Sequence, residues 1–209
     1  MRPSRAAGNI DDMTPTTRAP RSFAAITRAD LERLAGIADA DAQRLYARYP
    51  QWRERFVGTA LAQGAARHLL DGVTGVKDFD VWTFFARIPG ARFPFGGRRK
   101  VHRDFGISSH GCQLFSDDDR ADTVLAAKIR TWEGFDGRRV DLMMRDLACE
   151  CAADPRRAIG DWLREGARTP TRPAMPSSWW LAQKPVVLLL PRERLGEVIW
   201  PDREVLPTR

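Results

Sequence analysis

Apolar positions along this chain change their period several times, and each change marks an element. From Thr27 onward, Leu31, Leu34 and Ile37 recur at spacings of three, which is the period of one helix face. Thr27 supplies the hydroxyl that caps a first turn. A second helix carries Leu45 and Tyr49 and stops before Pro50, whose fixed φ opens a short helix through Arg55. A continuous apolar run follows, Phe56-Val57-Gly58-Thr59-Ala60-Leu61-Ala62, and predicts a strand. Gln63-Gly64-Ala65 then turns tightly into a helix through Leu70, ended by Asp71-Gly72.

The segment Asp78 to Phe85 is rich in β-branched and aromatic residues and predicts a second strand. Residues 86–110 form a long basic loop, broken by Pro89, Gly90, Pro94 and Gly96-Gly97. Asp117 to Lys128 is a capped helix, and Gly137 precedes another strand, Arg138 to Met144. Asp154 as N-cap and Pro155 at the first helical position open a helix through Glu165. A Pro-rich linker spans 166–176, Ser177 to Lys184 is helical up to Pro185, and the chain from Pro191 is irregular. Residues 1–22 hold Pro3, Pro15, Pro20 and four arginines without apolar periodicity, so they read as a disordered basic tail. The chain divides into that tail, a core over 23–150 with N-terminal helices, and a helical C-terminal segment over 151–209.

Composition narrows the class. With 209 residues, 43% hydrophobic and 29% charged, the chain suits one globular domain and excludes collagen-like and wholly disordered classes. Its longest apolar run, Val186 to Leu190, is far below the ~20 residues that span a bilayer, so no membrane is expected. No apolar stretch follows Arg2 and Arg5 as a secretory signal requires. Cys112, Cys149 and Cys151 are an odd set without such a signal, which points to a reduced, cytoplasmic protein. The net charge is +7, from 34 basic and 27 acidic residues, and only Lys77, Lys100, Lys128 and Lys184 are lysines. A surplus of arginine suits a phosphate-bearing partner, although the codon bias of a GC-rich genome accounts for the Arg-to-Lys ratio as well.

The candidate chemistry lies in Asp78-Phe79-Asp80 at the head of the second strand. Residues i and i+2 of a strand share a face, so the two carboxylates stand side by side. Paired carboxylates repel unless a proton or cation lies between them, and oxygen ligands of this kind suit Mg²⁺ or Mn²⁺. Asp141, alone among the apolar residues of Val140-Asp141-Leu142, can complete a cluster able to hold two metals ~4 Å apart if the strands are neighbours. Against this stands the frequency of D-x-D by chance, with strand-end acids left to solvent. Upstream, the Gly64-Ala65 turn at a helix N-terminus offers backbone N–H groups to an anion.

This order of Gly64-Ala65, then Asp78-Phe79-Asp80-Val81, then Val140-Asp141-Leu142 resembles the nucleotidyltransferase fold of the DNA polymerase β superfamily. The resemblance covers about residues 50–146. Two positions depart from the family signature: Ala65 stands where Ser or Gly is commoner, and Gln63 where an apolar residue precedes the glycine. The resemblance implies an α+β fold with a mixed sheet flanked by helices. It also implies transfer of a nucleoside monophosphate from an NTP to an acceptor hydroxyl, with Mg²⁺ or Mn²⁺ as cofactor. Asp78 and Asp80 then bind metal, Asp141 helps activate the acceptor, and Gly64 and Ala65 bind nucleotide. A C-terminal helical segment in this family often presents a basic residue to the triphosphate, a role that falls to Lys184.

Arg98, Arg99, Lys100 and Arg103 form the densest basic patch, suited to a triphosphate, to a nucleic-acid backbone, or simply to solvent. Two other readings stay open: a non-catalytic nucleic-acid-binding or antitoxin-like module, and a degenerate nucleotidyltransferase fold without activity. A zinc site from His110, Cys112, Cys149 and Cys151 needs wider spacing than one residue within each pair. His68 and His102 have no nucleophile arranged beside them, and the seven tryptophans read as packing residues, with base stacking by Trp179 or Trp180 as the alternative.

Overall fold

The structure is a computed structural model and describes residues 24–72, 76–95, 100–106, 138–168 and 176–201. The basic tail, Arg98, Arg99, the expected helix from Asp117 to Lys128, His110 and Cys112 lie outside the described residues.

A capped helix opens the described chain. In α1 (Arg28–Arg48), the Thr27 hydroxyl accepts the Asp30 N–H while the Asp30 carboxylate accepts the Thr27 N–H, so two orphan donors are satisfied reciprocally. The sequence predicts two helices here, and the structure has one of 21 residues. Ala35, Ala38 and Ala42 continue the buried stripe between Leu34 and Leu45, so the face stays apolar where large residues lapse. A 3₁₀ turn (Pro50–Arg55) leads into β1 (Phe56–Ala62), followed directly by α2 (Gln63–Asp71). Gly72 ends α2 with φ 67°, a left-handed conformation that needs no Cβ.

The remaining elements are β2 (Phe79–Ala86), β3 (Lys100–Asp104), β4 (Arg139–Leu147), α3 (Pro155–Arg168), α4 (Ser177–Leu181), β5 (Val186–Leu190) and β6 (Val198–Trp200). They form a six-stranded sheet in the order β3-β4-β2-β1-β5-β6. β2 and β4 run parallel, and every other neighbouring pair is antiparallel. The fold is therefore α+β with a mixed sheet. Among the described residues, no helix is long and apolar enough to cross a membrane.

Alternation along the strands divides the core into two layers. Leu61, Phe79, Val81, Val140, Leu142 and Val187 face α1 and α2. Ala62, Trp82, Phe84, Met143, Val186 and Leu188 face Ile159 and Leu163 of α3 and Leu181 of α4. A third cluster joins the end of α1 to Trp52, Phe85 and Phe93, with Trp52 and Phe93 edge to face at 4.9 Å.

Two sequence expectations change. The basic loop over 86–110 contains a strand, β3, whose alternating half-exposed residues carry too little apolar signal to announce it. The C-terminal segment over 151–209 contributes helices α3 and α4 but also β5 and β6, so it completes the sheet instead of standing apart as a helical unit. The run Val186–Leu190, closed by Pro185 and Pro191, is short enough for a fully buried strand and too short for a stable helix.

Candidate functional site

The sheet register lays one row of strand partners across the molecule. His102 pairs with Asp141, Asp141 with Asp80, Asp80 with Ala62, Ala62 with Val186, and Val186 with Trp200. Direct partners share a face. Ala62, Val186 and Trp200 belong to the α3/α4 layer, so Asp80, Asp141 and His102 open on that same face. Asp78, two residues ahead of Asp80, immediately precedes β2. The structure thus brings Asp78, Asp80 and Asp141 to one end of the parallel β2–β4 pair.

The three carboxylates have different surroundings. Asp141 is fully buried. Its Oδ1 accepts Arg139 Nε at 2.7 Å and contacts His102 Nδ1 at 2.5 Å. Its Oδ2 lies 2.6 Å from Lys100 Nζ and accepts Arg139 Nη2 at 3.3 Å. Burial alone pushes this carboxyl up, but the bonds from Arg139, Lys100 and His102 outweigh it and hold the group below its ordinary value.

Asp80 has no such company: its carboxylate makes no hydrogen bond or ion pair with a described residue. Burial, then the negative charges of Asp78 and Asp141, push its pKa up to about 7. Asp78 is also raised, by burial first, and the Lys77 ammonium 3.8 Å away offsets only part of this. Lys77 lies ahead of β2, where strand alternation does not apply, and its ammonium reaches Asp78. Two residues beyond Asp80 on the same face, the Trp82 indole N–H is buried with no acceptor among the described residues.

The β1–α2 junction borders the row through Ala62. Gln63 adopts φ 61°, a strained conformation for a residue with a Cβ, and its amide donates to the Trp180 carbonyl at 2.8 Å. A Cβ on Gly64 would meet nothing within 4 Å among the described residues, so none of them requires glycine there. Ala65 turns its methyl into the α1/α2 core, which leaves only its backbone N–H for a ligand. Lys184 lies between α4 and β5, two residues before Val186 in the row, and makes no ion pair with a described residue. Arg103 leaves the patch: it reaches Asp41 of α1 at 3.4 Å, on the other side of the sheet.

Sequence reasoning missed Lys100 as a partner of Asp141, and His102 and Arg139 altogether. Arg139-x-Asp141 carries a usable signal, the same i, i+2 spacing that identified Asp78 and Asp80. For Lys100 and His102 none existed, because β3 was hidden in its loop.

The donor chemistry of Asp78 and Asp80 fits a hard cation: two carboxylates stand two residues apart, and one has no partner among the described residues. Asp141 is engaged elsewhere, and among the described residues no three His, Cys, Asp or Glu side chains are grouped as a ready metal site. Of the alternative zinc set, Cys149 is half-buried, and Cys151 is exposed with Arg55 Nη1 at 2.6 Å from its sulfur. No known protein family, curated protein or solved structure matches this chain.

Proposed function

We propose that the protein is a nucleotidyltransferase that moves a nucleoside monophosphate from an NTP to an acceptor hydroxyl. The observation that carries this reading is Asp80 standing opposite Asp141 in the parallel β2–β4 register, with Asp78 two residues ahead and the β1–α2 turn alongside. In the reaction the acceptor oxygen forms a bond to the α-phosphorus, the bond to the bridging oxygen breaks, and pyrophosphate leaves. Asp78 and Asp80 would hold Mg²⁺ or Mn²⁺, which when bound neutralises phosphate charge and aligns the in-line displacement. Asp141 is the group for orienting the acceptor hydroxyl and drawing its proton once a cationic partner has withdrawn from it. The N–H groups of Gly64 and Ala65 suit phosphate oxygens, since a helix N-terminus presents unpaired donors. Lys184 is the basic residue this reading offers the triphosphate from the C-terminal segment, and Arg98 and Arg99, outside the described residues, are further candidates by sequence alone.

The test is equilibrium binding of each labelled NTP with Mg²⁺ or Mn²⁺, in the wild type and in Asp80→Asn. Metal-dependent binding to the wild type that is lost in the variant supports the reading. Equal binding to both overturns it. The full engagement of Asp141 by cations favours a second reading, a fold of this kind kept without catalysis. NTP binding with no pyrophosphate release, across acceptors drawn from a cell extract, assigns that one.

A further inference from the structure

We propose that Lys100 and Arg139 are exchangeable ligands, holding Asp141 in the metal-free protein and passing to the triphosphate when Asp141 is given over to a divalent cation. The inference rests on the proposed nucleotidyltransferase reading and adds an obligate coupling between metal and nucleotide.

A carboxylate offers about four lone-pair positions. Asp141 meets four donors: Arg139 Nε, Arg139 Nη2, Lys100 Nζ and His102 Nδ1. Its acceptor capacity is filled, so no oxygen of Asp141 can ligate a cation until a donor withdraws. Asp80, its partner in the register, accepts none of these donors. The same four donors therefore keep a metal off one acid of the row while the adjacent acid stays available.

The donors are placed to move. Asp141 is sealed in the sheet, but the Lys100, Arg139 and His102 side chains are 38%, 34% and 55% exposed, so they reach the surface. A lysine or arginine swung off a buried carboxylate needs another anion, because a charge at a half-dry surface left unpaired is costly. A triphosphate is such an anion, and the guanidinium fork matches phosphate oxygens in pairs.

Charge counting gives the same direction. Among the described residues, Lys77 stands against Asp78, and Lys100 and Arg139 against Asp141 beside Asp80, so three basic side chains meet three acids. Divalent cations alone would make this cluster strongly positive, and a triphosphate alone strongly negative. Only their joint arrival keeps it near balance, so each raises the affinity for the other by the same factor.

The experiment measures Mn²⁺ binding by electron paramagnetic resonance and nucleotide binding by calorimetry, with a non-hydrolysable NTP analogue, in wild type, Lys100→Met and Lys100→Arg. Thermal unfolding of each variant confirms that it is folded. In the wild type, the analogue is expected to tighten Mn²⁺ binding by ~10-fold or more. In Lys100→Met, Mn²⁺ alone is expected to bind ~5-fold tighter, since a competitor is gone, while the analogue binds ~10-fold weaker. Lys100→Arg restores wild-type behaviour. The opposite signs of the two changes exclude a merely structural role for Lys100. Weaker Mn²⁺ binding in Lys100→Met, or unchanged analogue affinity, overturns the exchange and leaves the nucleotidyltransferase reading standing. A wild type that binds neither Mn²⁺ nor the analogue, alone or together, overturns both.

Discussion

Replacing Asp80 by Asn should stabilise the metal-free protein at neutral and alkaline pH while removing its capacity for metal. Burial and the charges of Asp78 and Asp141 raise the Asp80 carboxyl from 3.8 to about 7. A shift of roughly three units at ~1.4 kcal/mol per unit is ~4 kcal/mol of conflict once the group is ionised. The sign follows from proton counting. Between these two values the unfolded chain has released the proton and the folded chain still holds it, so stability falls as pH rises, then levels above about 7. Asn keeps the shape and cannot ionise. Urea unfolding at pH 5 and pH 8 should therefore show Asp80→Asn gaining roughly 3 kcal/mol on the wild type across that interval, while the raised Asp78, present in both proteins, slopes both profiles in the same sense. Asp104, Asp154 and Glu197 are held below their ordinary values and titrate beneath this window. Parallel stability profiles for the two proteins would refute the placement of Asp80 as an unpartnered, partly buried acid. On the proposed function, adding Mg²⁺ at pH 8 raises the melting temperature of the wild type and leaves that of the variant in place.

Gly166→Ala should loosen the contact between α3 and α4. A Cβ there would come within 2.5 Å of the Ser178 carbonyl carbon and 2.6 Å of Ser178 Cβ, and backbone cannot yield as a side-chain tip does. The expected loss is ~1–3 kcal/mol, read as a fall of several degrees in melting temperature, and an unchanged melting temperature would contradict the packing. Thr27→Ala removes the hydroxyl of the capping box on α1 and should cost ~1 kcal/mol in urea unfolding, with Thr27→Ser restoring most of it.

Much of the fold was legible because it is written locally. β1 was read over Phe56–Ala62, the same bounds the structure has, since seven small or apolar residues between Arg55 and Gln63 leave no other period. Asp154 and Pro155 marked the start of α3, where the Asp154 carboxylate accepts the Arg157 N–H at 3.0 Å. The acid pair was visible because two residues of one strand necessarily share a face. β3 and β6 were not visible: five residues that are exposed or half-buried, and a strand of only three, give no period to detect, and both exist because a neighbouring strand edge offers them hydrogen bonds.

A chain pattern can state that Asp78, Asp80 and Asp141 each sit at the head of an apolar run, since that depends only on near neighbours. It cannot state that β2 and β4 lie side by side and parallel, which sets Asp80 against Asp141 and follows from burying two apolar strands in one sheet. Nor can it state that Lys100 and His102 join Arg139 on Asp141 while no described residue pairs with Asp80. Charges close in space but far apart in sequence find each other only after the sheet has closed. The residue types that could do chemistry are thus local information, whereas which carboxylate is spoken for and which is available is a property of the assembled core.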